Sequence, residues 1–200
     1  MPARLLICAP LGLEAQALRA ALGHKSVHRT GFGPRRSARS AAELTTADFD
    51  VLVVAGLGGG IGEDVRSGDV VVADEVRGPD GSARCSSTAS LVAELRRAGF
   101  PVHCGPIVTT RHVVRGAQRA DLARTGALAV DMESAVLARA AGARGIAAVR
   151  VVLDTAAQPL LRPGTPRRTL AALARLHAIG SCLSRWSRTA TPENAPEEVS

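Results

Sequence analysis

Aromatic residues are almost missing from this 200-residue chain, which holds three Phe, one Trp and no Tyr. A surface that stacks nucleic-acid bases interleaves aromatics with basic side chains, and this sequence lacks the means to build one. Lysine is nearly absent too: Lys25 stands alone, and every other basic residue is arginine. No apolar run approaches the roughly 20 residues that cross a bilayer. The four cysteines (Cys8, Cys85, Cys104 and Cys182) are widely separated. They form no CxxC pair and have no ligand-spaced histidines, which sets aside a disulfide scaffold and a structural metal. The apolar part of MPARLLICAP is too short for a signal peptide, so a reduced, cytoplasmic setting is expected.

What remains is rich in Ala, Val and Leu, and 46% of the chain is apolar. That is enough for one sizeable core at this length. The net charge of +7 understates how basic the body is, because Glu193, Glu197 and Glu198 fall in a base-free stretch after Arg188. Anionic partners such as phosphate or a membrane surface fit this balance. The arginines are scattered and lack aromatic neighbours, so no nucleic-acid partner is expected.

Short continuous apolar runs alternate with helical patterns. RLLICA (4–9), DVLVVAG (50–56), GDVVVADEV (68–76), FPVHCGPIVTT (100–110), ALAVD and GIAAVRVVLD (145–154) read as extended. LEAQALRAAL, RRSARSAAEL, residues 88–98, QRADLART, ESAVLARAAGA and 166–188 read as helices. Strands apolar on both faces need helices on both faces. The expectation is one α/β domain over residues 1–188, three-layer αβα with a mixed, largely parallel sheet, and a disordered acidic tail over 189–200.

VVAGLGGGIG (53–62) invites a dinucleotide reading that fails. Gly56 and Gly58 need a third glycine where Ile61 stands, and Gly58 and Gly60 need one where Glu63 stands. A strand follows instead of the helix whose N-terminus would hold pyrophosphate. What is left is a glycine turn, either a plain connection or one whose amides face an anion. Three acids fall where strands meet helices: Glu14, Glu133 and Asp154. Each has a bland reading as a capping or first-turn acid. Asp131 or Ser134 can cap the helix after ALAVD, however, which leaves Glu133 unexplained. In open α/β sheets, ligands bind at the carboxyl ends of the strands, so the three acids also suit a ligand with several hydroxyls.

VLVVAGLGGGI…VRSGDVVVADEV, then TGALAVDMESAVLARAAGARGIAAVRVVLDTA, resembles the nucleoside phosphorylase and nucleosidase superfamily. That superfamily includes purine nucleoside phosphorylases and the methylthioadenosine/adenosylhomocysteine and futalosine nucleosidases. The likeness runs over roughly residues 3 to 180, and AVDMES is its most specific part. Within the superfamily, GALAVDMES followed by VRVVLDTA looks most like the hopanoid-associated phosphorylases, which act on adenosylhopane. The resemblance implies that Met132 lies against a ribose and that Glu133 takes its hydroxyls, with Asp131 in the same substrate-binding set. A carboxylate accepts well from two neighbouring hydroxyls. Asp154 matches the acid that assists departure of the purine, a role that burial favours. Glu14 matches the acid that positions water in the nucleosidases. Phosphate would be held by Gly58, Gly59 and Gly60 with Arg35 or Arg36.

The departures are Leu57 and Leu153, where many members carry serine, and the lack of an obvious base-stacking aromatic beyond Phe32 or Phe100. The expected activity is therefore a pentosyl-transferring phosphorylase that cleaves an adenine nucleoside. It needs no cofactor and uses inorganic phosphate as co-substrate. A hydrolytic nucleosidase is the alternative, and a non-catalytic nucleoside-binding protein the alternative of another class. A homo-oligomer is expected from the resemblance. Helix 166–188, with Leu170, Leu173, Leu176, Ile179, Leu183 and Trp186 against scattered arginines, is either a docked terminal helix or a peripheral membrane contact.

Overall fold

The computed structural model describes residues 2–189, so all but the first residue of the expected acidic tail falls outside the described residues. Ten strands form one sheet, six of whose nine pairings are parallel. The first apolar run is β1 (Leu5–Ala9), followed by α1 (Gly12–Leu22), the short β2 (Val27–Arg29) and α2 (Pro34–Leu44). A proline in the first turn of α2 loses no hydrogen bond there. Next come β3 (Val51–Gly60), β4 (Val70–Val72), β5 (Glu75–Gly78), β6 (Gly81–Arg84) and α3 (Thr88–Arg97). β7 (Val102–Cys104), β8 (Ile107–Thr109), α4 (Gly116–Arg124), β9 (Ala129–Asp131), α5 (Ser134–Ala138), β10 (Gly145–Asp154) and α6 (Thr165–Trp186) complete the chain.

Side chains alternate across the sheet with the two-residue period of a strand. Ile7, Val53, Val149 and Val151 face α1, α3 and α6, where Leu18, Leu91, Leu176, Ile179, Leu183 and Trp186 close over them. Leu6, Leu52, Val54, Ala148 and Val152 face α2 and α5, packing with Ala41, Leu44 and Leu137. Helices thus cover both faces, the three-layer arrangement expected from the apolar runs.

α6 spends its apolar stripe on this core. Leu176, Ile179, Leu183 and Trp186 are buried, Arg185 donates to Glu94 and Arg175 to the Gly68 carbonyl. Only Leu170 remains strongly exposed among its large apolar residues. The docked-helix reading holds, and the apolar stripe is not presented to a bilayer. Among the described residues no helix is long and apolar enough to cross a membrane. Burial pushes the Cys8 and Cys85 thiols up to about 12, so neither supplies a thiolate near neutral pH.

The glycine segment departs from expectation. It is no turn: β3 runs unbroken to Gly60. Its first half pairs with β1 (Leu5↔Val51 to Cys8↔Val54), and its last two residues pair with β9 (Gly59↔Val130, Gly60↔Ala129). β10 lies along the opposite edge from Val51 to Gly59. The glycines answer to space. A Cβ on Gly60 would stand 2.8 Å from both Val152 and Val65, and one on Gly56 2.7 Å from Arg150 Nη1. Gly60→Ala should cost about 1–3 kcal/mol through overpacking, to be read from urea denaturation midpoints.

Candidate active site

Between the end of β1 and the start of β9, the shared edge of β3 has no strand neighbour, so residues 55–58 are left unpaired on that side. This is a switch point of the kind at which open sheets bind ligands. An unpaired buried amide is costly, and Glu14 from the first turn of α1 resolves it. Its Oε1 accepts from the Leu57 amide at 2.8 Å, and its Oε2 from Leu11 at 2.7 Å. Glu14 is 2% exposed, and burial raises its pKa against the pull of the Leu57 amide and of Arg150.

The cation in that balance, Arg150, is a residue the sequence reading passed over. It projects from the middle of β10 with no solvent exposure. Its Nε donates to Asp131 Oδ2 at 2.8 Å, its Nη2 lies 2.7 Å from the same oxygen, and Nη2 also donates to Ser134 Oγ at 3.0 Å. Glu133 Oε2 is 3.9 Å away. Nη1 is buried without a partner. Nη1 and Glu14 Oε1 both stand over Gly56, 2.7 and 2.9 Å from where a Cβ would be. A buried donor and a buried carboxylate oxygen therefore converge above a residue that has no side chain.

Asp131 is tied closely into the protein. Its Oδ1 accepts from Thr109 Oγ1 at 2.6 Å and from the Glu133 and Ser134 amides at 3.2 Å each. Its other oxygen serves Arg150. Burial works to raise its pKa, but Arg150 and these donors outweigh it and leave the group below the ordinary value. Both oxygens are held by the protein, so Asp131 anchors Arg150 and the start of α5, and it also borders the cavity described below.

Glu133 keeps capacity. Oε1 accepts from the Gly33 amide at 2.9 Å and Oε2 from Met132 at 3.3 Å, and the side chain borders the cavity. Burial pushes it up to about 6 despite Arg150 nearby. Glu14, Met132, Glu133 and Asp154 line one cavity of about 230 Å³, joined by Gly58, Gly59, Leu57 and Leu153. The three acids of the sequence reading do meet. Gly60 and Arg35 are not in this lining. Phe32 stands half-exposed at the mouth, whereas Phe100 packs against the core. His112 also borders the cavity, close to Gln118.

At the far end Asp154 is not alone. Arg119 of α4 donates from Nη2 to Asp154 Oδ2 at 2.7 Å, both side chains being about nine-tenths buried. The sequence reading gave QRADLART as a helix and made no statement about Arg119.

The layout is thus a mixed three-layer sheet with a cation-centred acid cluster at its switch point. A family model described as the Phosphorylase superfamily matches residues 19–174, and the chain belongs to that superfamily. No curated protein matches it. Among solved structures it is similar to S-adenosylhomocysteine nucleosidase from Streptococcus pyogenes in complex with 5-methylthiotubericidin. The TM-score is 0.78 at 21% identity, over 92% of this chain and 97% of that one. It is also similar to the Campylobacter jejuni 5′-methylthioadenosine/S-adenosylhomocysteine nucleosidase, with TM-score 0.79 at 14% identity over 94% and 100%. A Helicobacter pylori mutant nucleosidase with 5′-methylthioadenosine in its active site gives 0.78 at 14% over 95% and 100%. At these identities the likeness speaks to the fold.

Because the Glu133 pKa is raised on folding, the fold binds its proton more tightly than the unfolded chain does. Stability from this group is therefore greatest below the unfolded value and is lost as pH rises through about 6. Glu133→Gln should gain on the order of 1 kcal/mol at pH 7.5 and less at pH 5, measured by urea denaturation at both. Arg150→Met, which strands Asp131 without its partner, should cost about 3–5 kcal/mol in the same assay.

Proposed function

We propose that this protein is a purine nucleosidase that cleaves the N-glycosidic bond by hydrolysis. The observation that carries this reading is the meeting of Glu14, Met132, Glu133 and Asp154 around one cavity, with Glu14 at the gap in the sheet. A water in the cavity donates to the Glu14 carboxylate, which turns its lone pair toward the sugar. Glu133, with Met132 beside it, takes the ribose hydroxyls, and the Asp154 end takes the base. The water oxygen bonds to C1′ as the C1′–N9 bond breaks with its electron pair leaving on the purine. The proton lost by water passes to Glu14, whose raised pKa suits a base working near neutrality.

Charge argues for water over phosphate as the nucleophile. Three carboxylates, Asp131, Glu133 and Glu14, surround one guanidinium, and a phosphate dianion would enter against that surplus. The Leu57 amide, which lies in the gap of the sheet, is already taken by Glu14. The similar solved structures named above, all nucleosidases, lean the same way. Leu11, Phe32 and Val113 line the cavity and are strongly exposed, which suits an apolar group on the ribose 5′ carbon. Methylthioadenosine-like nucleosides fit that mouth. Adenosylhopane has the same mouth in its favour and nothing further.

The test is base release from adenosine, 5′-methylthioadenosine and S-adenosylhomocysteine, each with and without phosphate. Equal rates and a free reducing sugar are expected, with Glu14→Gln lowering kcat by about 100-fold or more. Release that requires phosphate and yields a sugar 1-phosphate would return the phosphorylase reading. Binding without turnover would favour a nucleoside-binding protein. Activity should also fall as pH drops below about 6, where Glu133 takes up a proton and its neutral form can no longer accept from both hydroxyls.

A further inference from the structure

Large apolar side chains left in water are ordinary when scattered and informative when gathered. Among the described residues the strongly exposed ones are Leu11, Leu13, Phe32, Val113, Leu161 and Leu170. All but Leu170 stand on four short segments, 10–13, 28–36, 110–116 and 159–163, and each segment gives at least one residue to the wall of the nucleoside cavity. The same segments carry the exposed arginines Arg29, Arg35, Arg36, Arg111, Arg115 and Arg162. They hold no Asp or Glu. Among the described residues, none of these arginines pairs with a carboxylate. The cavity thus opens through a ring that is apolar and basic at once.

Each half of that description narrows the partner. Clustered arginines without acids call for an anionic surface. A nucleic-acid backbone would satisfy them, but it offers nothing to the leucines, and Phe32 is the only aromatic of the ring on which a base could stack. A second copy of this chain would cover the apolar part. A two-fold pairing through this face, however, sets two such arginine clusters against each other, and like charges across an interface suppress association. An anionic bilayer meets both demands. Leucine and phenylalanine side chains sink below the headgroups, while arginine stems lie along them and keep each guanidinium at the level of the phosphates. We propose that the mouth of the cavity is a membrane-docking face, seated on anionic lipid through this ring of apolar side chains and arginines. The contact does not use the apolar stripe of α6, which is packed into the core. Docked in this way the cavity opens onto the bilayer, and a nucleoside with an apolar 5′ group enters it from the lipid side.

The contact does not depend on which bond the site cleaves, so its test reads binding alone. The full chain is sedimented with phosphatidylcholine vesicles and with vesicles in which about a third of the lipid is phosphatidylglycerol. It should bind the anionic vesicles about tenfold or more tightly, and less so as salt rises from about 0.1 to 0.5 M. Two double variants outside the nucleoside cavity separate the halves of the ring: Leu13→Asp/Leu161→Asp removes apolar anchors, and Arg111→Glu/Arg162→Glu reverses charge. Each should lower the affinity for anionic vesicles by about tenfold or more. The urea midpoint should stay unchanged, since all four side chains are exposed. Lys25→Glu/Arg188→Glu makes the same change in net charge at the opposite ends of the strands, beside Ser26 and Ser187, which bond to Ile7 and Ala3. That pair should lower the affinity by less than about threefold.

Equal losses from the distant pair would mean attraction by net charge alone and would overturn the proposal, as would failure to bind anionic vesicles. A dimer seen by analytical ultracentrifugation and broken by Leu13→Asp/Leu161→Asp would make the ring a subunit interface instead. Tighter binding to DNA or RNA than to vesicles, lost in Arg111→Glu/Arg162→Glu, would make it a nucleic-acid face. Base release by a protein indifferent to vesicles would remove this proposal and leave the nucleosidase reading in place.

Discussion

A guanidinium with no access to water organises this molecule. Taking Arg150 out of solvent costs several kcal/mol, repaid only by well-placed partners, and the surrounding fold meets that demand. Asp131 gives one oxygen to it and uses the other to gather Thr109 and the first amides of α5. Ser134 supplies a hydroxyl. Across the sheet, β3 has glycine at 56 and 58, where the arginine side chain lies within 2.7 to 3.3 Å of any added Cβ. The charge at the centre of β10 thus explains both the motif on one side of it and the bare strand on the other.

One cation also divides the labour among its acids. It holds Asp131 below the ordinary carboxylate range, but it is shared too widely to offset the burial of Glu133 and Glu14, which end above theirs. All three border the cavity, the charged one fixed by Arg150 and the other two holding their protons more tightly. Separation of neighbouring pKa values by environment is how acid and base roles are assigned in enzyme sites. The opposite end of the cavity repeats the arrangement on a smaller scale, with Arg119 and Asp154 sharing one hydrogen bond and leaving other donors and acceptors open.

The sheet strands were legible where apolar runs were continuous: β10 spans the ten residues expected of it, and β1 and α6 lie within a residue or two of expectation. The short edge strands β2 and β6 carry too few residues to show a period. GDVVVADEV divides at Ala73 and Asp74 into strands with different neighbours, and α5 is helical for only five residues before turns replace it. Glycine misled the reading of β3, since its usual meaning is a turn and here it means lateral crowding. Glu14, Met132, Glu133 and Asp154 were found, as residues at strand ends can be. Arg150 had a signal that went unused: a charge inside AAVRVVLD cannot be buried alone, and the unexplained acids of AVDMES were its partners. Arg119 had no such signal, because an arginine on a polar helix looks the same whether it turns outward or inward.

The placement of Arg150 also bears on time. Its strand lies between β3 and β4, in the part of the sheet covered on both faces, and backbone of that kind opens only with the whole domain. The acid cluster therefore stays fixed on any timescale shorter than unfolding of the domain. The segments bordering the cavity around residues 110–115 and 155–161 are not strand or helix. Any ligand reaching the cavity passes them, so the openness of the entrance and the rigidity of the acid cluster reside in separate parts of the chain.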